Sequence, residues 1–206
     1  MKNKYNYNKP AVELFGEWAI EGKDEGFEKN HFKPVMSMIS FINQRYKNYN
    51  DLSFLDLGCG NGWVVREVLK NPIFNDGCGI DGAKEMIEKA NKIDPLGNYK
   101  CLYIEDLDTS KTYDVIFSME FIYYLRNPQQ IIADIVEKNL NSNGIFIMGI
   151  DFYTENKQSH SWPSDLNIYM NLKNEDEWKK IFKNTLLTDI GCWTTGETLV
   201  VYGHKK

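Results

Sequence analysis

The chain has little with which to build a metal cluster, a disulfide framework or a nucleic-acid surface. Its four cysteines, Cys59, Cys78, Cys101 and Cys192, are scattered without C-x-x-C spacing, and there are only three histidines. Such usage fits a reducing compartment and no metal centre. Positive charge is not in excess: 24 Lys and Arg stand against 29 Asp and Glu, for a net charge of -5. A phosphate backbone is therefore not an expected partner. No apolar run reaches the roughly 18 residues of a membrane span, and the opening MKNKYNYNKP lacks the apolar segment of a secretory leader. The expectation is a cytoplasmic protein with neither a membrane nor a nucleic acid as partner; its oligomeric state is not legible. A length of 206 residues suits one α/β domain with a modest N-terminal addition better than two full domains.

The most informative stretch is Phe54 to Gly62, FLDLGCGNG. Leu52 to Leu57 is a short apolar run with one acid, as in a buried parallel strand, and the helical pattern Trp63, Val64, Val65, Val68, Leu69 follows directly. Glycines between a strand and a helix let a ligand lie against backbone amides at the carboxyl end of the strand, where open α/β sheets bind nucleotides. Two ligand classes are disfavoured by spacing. A dinucleotide turn, G-x-G-x-x-G, would want glycine where Trp63 stands, and a phosphate loop would end in Lys-Ser/Thr. An ordinary structural turn is the remaining alternative.

FLDLGCGNG resembles motif I of the class I S-adenosylmethionine-dependent methyltransferases: an acid, a small apolar residue, then G-x-G-x-G. The resemblance implies S-adenosyl-L-methionine as cofactor, with Asp56, Gly58, Cys59 and Gly60 around it. The next apolar run, Gly77 to Ile80, ends in Asp81 and Gly82. Asp81 lies 23 residues after Gly58, near the spacing at which an acid at a neighbouring strand tip reaches ribose hydroxyls. It could equally cap the following helix, and the two roles are compatible. Tyr99 to Ile104 reads as a third strand, ended by Glu105 and Asp106. In the resembled family an acid here meets the adenine amino group; Asp106 is the first choice, with Leu107 beside the ring, Glu105 a rival, and a solvated acidic turn the alternative.

TYDVIFSMEFIYYL supplies a fourth strand, Tyr113 to Ser118, resembling motif IV, with a helix expected over Met119 to Leu125. The turn at Ser118, Met119 and Glu120 would lie where the methyl points. Many relatives carry a histidine in the segment matching Ile122 to Leu125; Tyr123 and Tyr124 stand there instead. Adjacent helical residues face different ways, so one tyrosine, taken as Tyr123, is expected to line the site and the other to pack. A helix over Gln129 to Leu140, a strand over Ile145 to Ile150, a helix around Trp178 and a hairpin of Leu187 to Trp193 with Thr198 to Tyr202 complete the pattern.

The fold this implies is a three-layer, Rossmann-like α/β domain over residues 51–206, with a seven-stranded, mostly parallel sheet and an antiparallel C-terminal hairpin. Residues 1–50 form an N-terminal helical cover. In that cover Val12 to Ala19 suggests a short helix and Phe32 to Ile42 a longer one starting near Pro34; GEWAIEGKDEGFEKNH between them is either a solvated loop or part of the site. Transfer of a sulfonium methyl is an in-line displacement needing no covalent nucleophile. A base is required only if the acceptor must lose a proton, and His31, Glu120 and His160 are the candidates, His31 foremost. The N/D-P-P-Y motif of base-amino methylation and the paired glutamates of arginine methylation are both missing. The expected reaction is therefore methylation of a nitrogen or oxygen of a small molecule. The rival readings are a partner-directed protein or RNA methyltransferase, a non-catalytic cofactor-binding regulator and, more remotely, a nicotinamide-dependent oxidoreductase.

Overall fold

The computed structural model describes residues 9–206; most of the polar opening read above for a leader lies outside them. Seven strands run in the order β3-β2-β1-β4-β5-β7-β6. They are β1 (Leu52–Leu57), β2 (Phe74–Asp81), β3 (Asn98–Cys101), β4 (Tyr113–Met119), β5 (Leu140–Ile150), β6 (Leu187–Thr195) and β7 (Thr198–Lys205). The first five pair in parallel, while β7 is antiparallel to both β5 and β6. The expected sheet is present, including its terminal hairpin.

Alternation along the central strands explains the three layers. Leu55, Leu57, Ile116, Phe146 and Met148 belong to one buried cluster, with residues of α5 (Pro128–Lys138) and α7 (Glu175–Lys183). Phe54, Val115, Phe117, Ile145 and Ile147 point into another, with residues of α2 (Phe27–Arg45), α3 (Trp63–Val68) and α4 (Lys84–Ile93). A period of two with both phases apolar is what a sheet covered on both faces requires. The strand order reverses between β1 and β4, so the crevice opens beyond the carboxyl ends of those two strands.

Several boundaries differ from expectation, each for a local reason. β3 stops at Cys101 because it pairs only with β2, whose last partnered residue is Asp81; Ile104–Asp106 is a 3-10 turn instead. β4 is followed by a 3-10 turn, Ile122–Tyr124, and not by a helix; α5 begins at Pro128, which suits the first turn because it has no N–H to lose. β2 and β5 are longer than expected, β5 starting at Leu140 with an irregular register before Val115 and Ile145 pair. The segment GEWAIEGKDEGFEKNH is no solvated loop. It contains the end of α1 (Ala11–Glu21), a 3-10 turn at Lys23–Gly26 and the first residues of α2. Pro34 therefore lies inside α2. The carbonyl it leaves without a donor belongs to Asn30, which is exposed, so water can donate to it instead. Among the described residues no helix is long and apolar enough to cross a membrane.

Candidate active site

One cavity of about 650 Å³ occupies the crevice. At one end is the glycine loop. Gly58 has φ +72°, and a Cβ there would also lie 2.5 Å from the Phe121 ring, so both backbone and space demand glycine. The amides of Gly58 and Cys59 both donate to the Ile80 carbonyl at 2.9 Å, tying the loop to the tip of β2. Asp81 completes the tie, accepting from Gly60 N at 2.9 Å and Ala83 N at 2.8 Å. Gly60 itself faces open space, where an added Cβ would find nothing nearer than Met86 Sδ at 3.9 Å.

Two acids sit under this loop. Asp56 is buried, and burial, with the nearby Asp81 charge adding to it, pushes its pKa up to about 8. Asp81 is also raised by burial, partly offset by the Ala83 and Gly60 amides. The Cys59 thiol is buried and pushed well up by burial and by those acids, which makes it a poor nucleophile.

The other end is built from distant segments. His31, on α2, has Nδ1 3.1 Å from the Phe27 carbonyl and Nε2 3.7 Å from Asp151 Oδ2, just past β5. A carbonyl only accepts, so Nδ1 donates there, and Nε2 is the ring nitrogen turned toward Asp151. Asp151 also accepts from Thr198 Oγ1 at 2.5 Å. Glu120, directly after β4, has φ +57°, an uncommon conformation for a residue with a side chain. It accepts from the Tyr123 hydroxyl at 2.7 Å and from the Asp151 amide at 2.5 Å. Burial, then the Asp151 charge, pushes its carboxyl well above the usual range. The Tyr124 hydroxyl lies 3.2 Å from that of Tyr123. Both tyrosines line the cavity, against expectation, with ring centroids 4.4 Å apart.

The segment before β1 closes this space. Val12 of α1 lies over the tip of β2, so close that a Cβ on Gly82 would be 2.6 Å from it. Phe15 and Trp18 pack edge to face, and Phe15 reaches Tyr124 at 5.4 Å between centroids. The turn between α1 and α2 is fastened by Asp24, a fully buried acid that accepts from Lys89 Nζ at 2.7 Å and from Asn61 Nδ2 of the glycine loop at 2.8 Å.

Of the residues singled out in the sequence, His31, Asp56, Gly58, Cys59, Gly60, Asp81, Gly82, Glu120 and Tyr123 line one cavity. Others do not. Glu105 and Asp106 are exposed on the turn beyond the shortened β3, and Leu107 packs beside the core. Ser118 is buried and donates to the Leu57 carbonyl, inside the sheet. His160 is exposed, with Nε2 3.1 Å from the Thr154 carbonyl. Sequence reasoning missed Asp151, which stands at a strand tip as Asp81 does and bore the same signal, and Asp24, whose buried role nothing local betrays.

The family model for the methyltransferase domain matches residues 48–188. The chain belongs to this methyltransferase family. Its class is the Rossmann-like class I, and its cofactor is S-adenosylmethionine. Among curated relatives, the ubiquinone biosynthesis O-methyltransferase of Rickettsia typhi is 35% identical over 123 residues, covering 58% of this chain and 48% of that protein. The malonyl-[acyl-carrier protein] O-methyltransferase of Bacillus cereus is 28% identical over 145 residues, covering 69% and 54%. The chain thus spans about half the length of these relatives. Among solved structures, a chain from the complex between the Haloferax volcanii Trm112 methyltransferase activator and the putative methyltransferase superposes with a TM-score of 0.78 at 24% identity, covering 92% of this chain and 96% of that one. A plantazolicin methyltransferase in complex with a triazolic analogue and S-adenosylhomocysteine gives 0.71 at 16%, covering 96% of each.

The glycine end of the methyltransferase cavity fits the cofactor. Gly60 leaves room against the backbone, the Asp81 oxygens retain lone pairs for hydroxyls, and Asp56 is a buried acid with its pKa pushed up to about 8, which a cation beside it would lower.

Proposed function

We propose that the chain moves the methyl group of S-adenosylmethionine to a nitrogen or oxygen of a small-molecule acceptor, with the segment before residue 51 acting as a cover. One observation carries this reading: a single cavity joins the glycine loop to the His31, Glu120 and Asp151 group. The bound cofactor supplies a methyl already activated on a sulfonium sulfur. Asp81 is suited to hold ribose hydroxyls and Asp56 to balance positive charge. His31 Nε2 is suited to take a proton from the acceptor, and Asp151 to stabilise the imidazolium so formed, while Glu120 and Tyr123 fix the Asp151 backbone. Phe15 and Trp18 exclude water. Alignment in such an enclosure can supply roughly 7 to 11 kcal/mol. The names of both curated relatives, O-methyltransferases, support a proton-bearing acceptor. The Haloferax complex supports a second reading, in which a protein activator completes the catalyst.

The test is incubation of the isolated chain with methyl-labelled cofactor and fractionated extract. Label in a metabolite fraction, abolished by His31→Ala with cofactor affinity retained, is the expected result. Label only in protein or RNA, or only after a partner is added, favours the second reading. Tight cofactor binding with no transfer to any fraction refutes both.

A further inference from the structure

The acceptor end of the cavity has an unbalanced charge. Glu120 follows β4, Asp151 follows β5, Asp165 lies on α6 (Trp162–Leu166) and Glu197 lies in the turn between β6 and β7. Among the described residues no Lys or Arg lines the cavity at either end. None of these four carboxylates is ion-paired to Lys or Arg among the described residues; Asp151 faces only His31. Four elements far apart in sequence bring acidic side chains to one end of the cavity, with aromatic faces between them from Phe15, Trp18, Phe27, Tyr124 and Trp162.

Three hydrogen-bond donors at this end are already engaged. The Tyr123 hydroxyl and the Asp151 amide both go to Glu120, and Thr198 Oγ1 goes to Asp151. An anionic ligand would find only neutral donors besides His31, the Asn30 amide and the indole N–H groups of Trp18 and Trp162, and would meet several acids. A cation would find acceptors with lone pairs to spare and aromatic faces that attract positive charge. Burial, with the Asp151 charge adding to it, raises the Glu120 carboxyl well above its usual range, and a cation beside it would offset both.

Building on the methyl-transfer reading, we propose that the acceptor enters as an organic cation, a protonated or quaternary amine on a planar apolar body, selected over its anionic isostere by Glu120, Asp151, Asp165 and Glu197 within the aromatic wall. The methyl goes to a separate neutral nitrogen or oxygen of that body, whose proton passes to His31 as the methyl–sulfonium bond breaks. A divalent metal is the rival occupant, because single ligand atoms of His31, Glu120 and Asp151 lie within 4.8 Å of one another. The amine is favoured on two grounds. Both Glu120 oxygens and one of Asp151 already accept hydrogen bonds inside the protein. A metal also has no use for the surrounding aromatic faces.

The experiment is calorimetry on the full chain saturated with S-adenosylhomocysteine, comparing matched ligands: tryptamine with indole-3-propionate, and phenethylamine with 3-phenylpropionate. The cation of each pair should bind at least about tenfold more tightly, with the preference shrinking as salt is added. Asp165→Asn combined with Glu197→Gln, both exposed positions, should weaken tryptamine several-fold and leave S-adenosylhomocysteine affinity unchanged. Equal or tighter binding of the anions overturns the proposal, as does failure of every cation to bind. Ligand binding that appears only with Mg²⁺ or Mn²⁺ overturns it in favour of the metal. Failure of S-adenosylhomocysteine itself to bind refutes the underlying methyl-transfer reading, whereas normal cofactor binding with no charge preference refutes only the selection.

Discussion

At the donor end of the cavity the surface is largely backbone, contributed by two adjacent strand tips and one loop. At the acceptor end it is side chains from residues as far apart as Phe15 and Glu197. The donor loop is tied to β2 by the Ile80 carbonyl and Asp81, contacts within a parallel βαβ unit. The acceptor wall is assembled from loops and from the α1–α2 segment, which is fastened to the rest through the buried Asp24. A ligand common to a whole family can be met by groups every residue owns; a ligand particular to one protein has to be met by side chains, and loops that join strand tips are where these vary at low cost to the fold.

Four measurements would break or sharpen this contrast. The largest effect is expected from Lys89→Met, which leaves Asp24 fully buried with only Asn61 as partner. Stranding a buried charge costs about 3 to 5 kcal/mol, to be read as lower thermal stability and faster proteolysis between Gly22 and Gly26. Affinity for S-adenosylhomocysteine should stay within about threefold, since Gly60 remains tied to Asp81. A parallel collapse of that affinity would show that cover and donor loop are one unit.

Gly58→Ala attacks the donor end directly. A side chain at positive φ costs about 1 to 2 kcal/mol, and overpacking against Phe121 a further 1 to 3, so both stability and cofactor affinity should fall. Unchanged affinity would mean that the loop does not define the donor site.

Asp56 makes stability depend on pH. In the fold it keeps its proton up to about pH 8, whereas unfolded it releases it near 3.8. Between those values the folded state binds more protons, so this group makes stability fall as pH rises, with no further change below about 4 or above about 8. Asp56→Asn should remove that part of the slope, and the variant should gain on the wild type by a few kcal/mol from pH 5 to pH 8. If the two melting curves shift in parallel across that range, Asp56 is ionised in the fold and cannot be awaiting a cation.

The smallest effect is expected from His160→Ala. An exposed side chain away from the cavity should change stability by less than about 0.5 kcal/mol and leave turnover intact, in contrast with His31→Ala. Loss of turnover would move the acceptor site toward α6.

Much of the donor end was legible because its determinants are local. FLDLGCGNG carries strand, turn and helix start within one window, and Asp81 follows from a run that ends where a strand tip must be. The acceptor end was legible only in fragments. His31 and Glu120 were picked out singly, but nothing in the sequence joins either to Asp151, 31 residues beyond Glu120. The expectation that only one of Tyr123 and Tyr124 would reach the site missed Tyr124, whose ring packs against Phe15 of α1, a contact between segments far apart in sequence. Glu105 and Asp106 were placed at the tip of a strand expected to run to Ile104, but β3 ends at Cys101 for want of a pairing partner, a fact about β2 and not about their own segment.

Alternating apolar phases, glycines at a strand end and a closing hairpin determined the three-layer sheet and the place of its crevice, because periodicity and backbone permissiveness are properties of short stretches. Which carboxylates face one another, which histidine nitrogen is free and how far the cover descends were decided only by the tertiary structure. Those are distances between segments, set by how side chains pack once the sheet has brought its strand tips together.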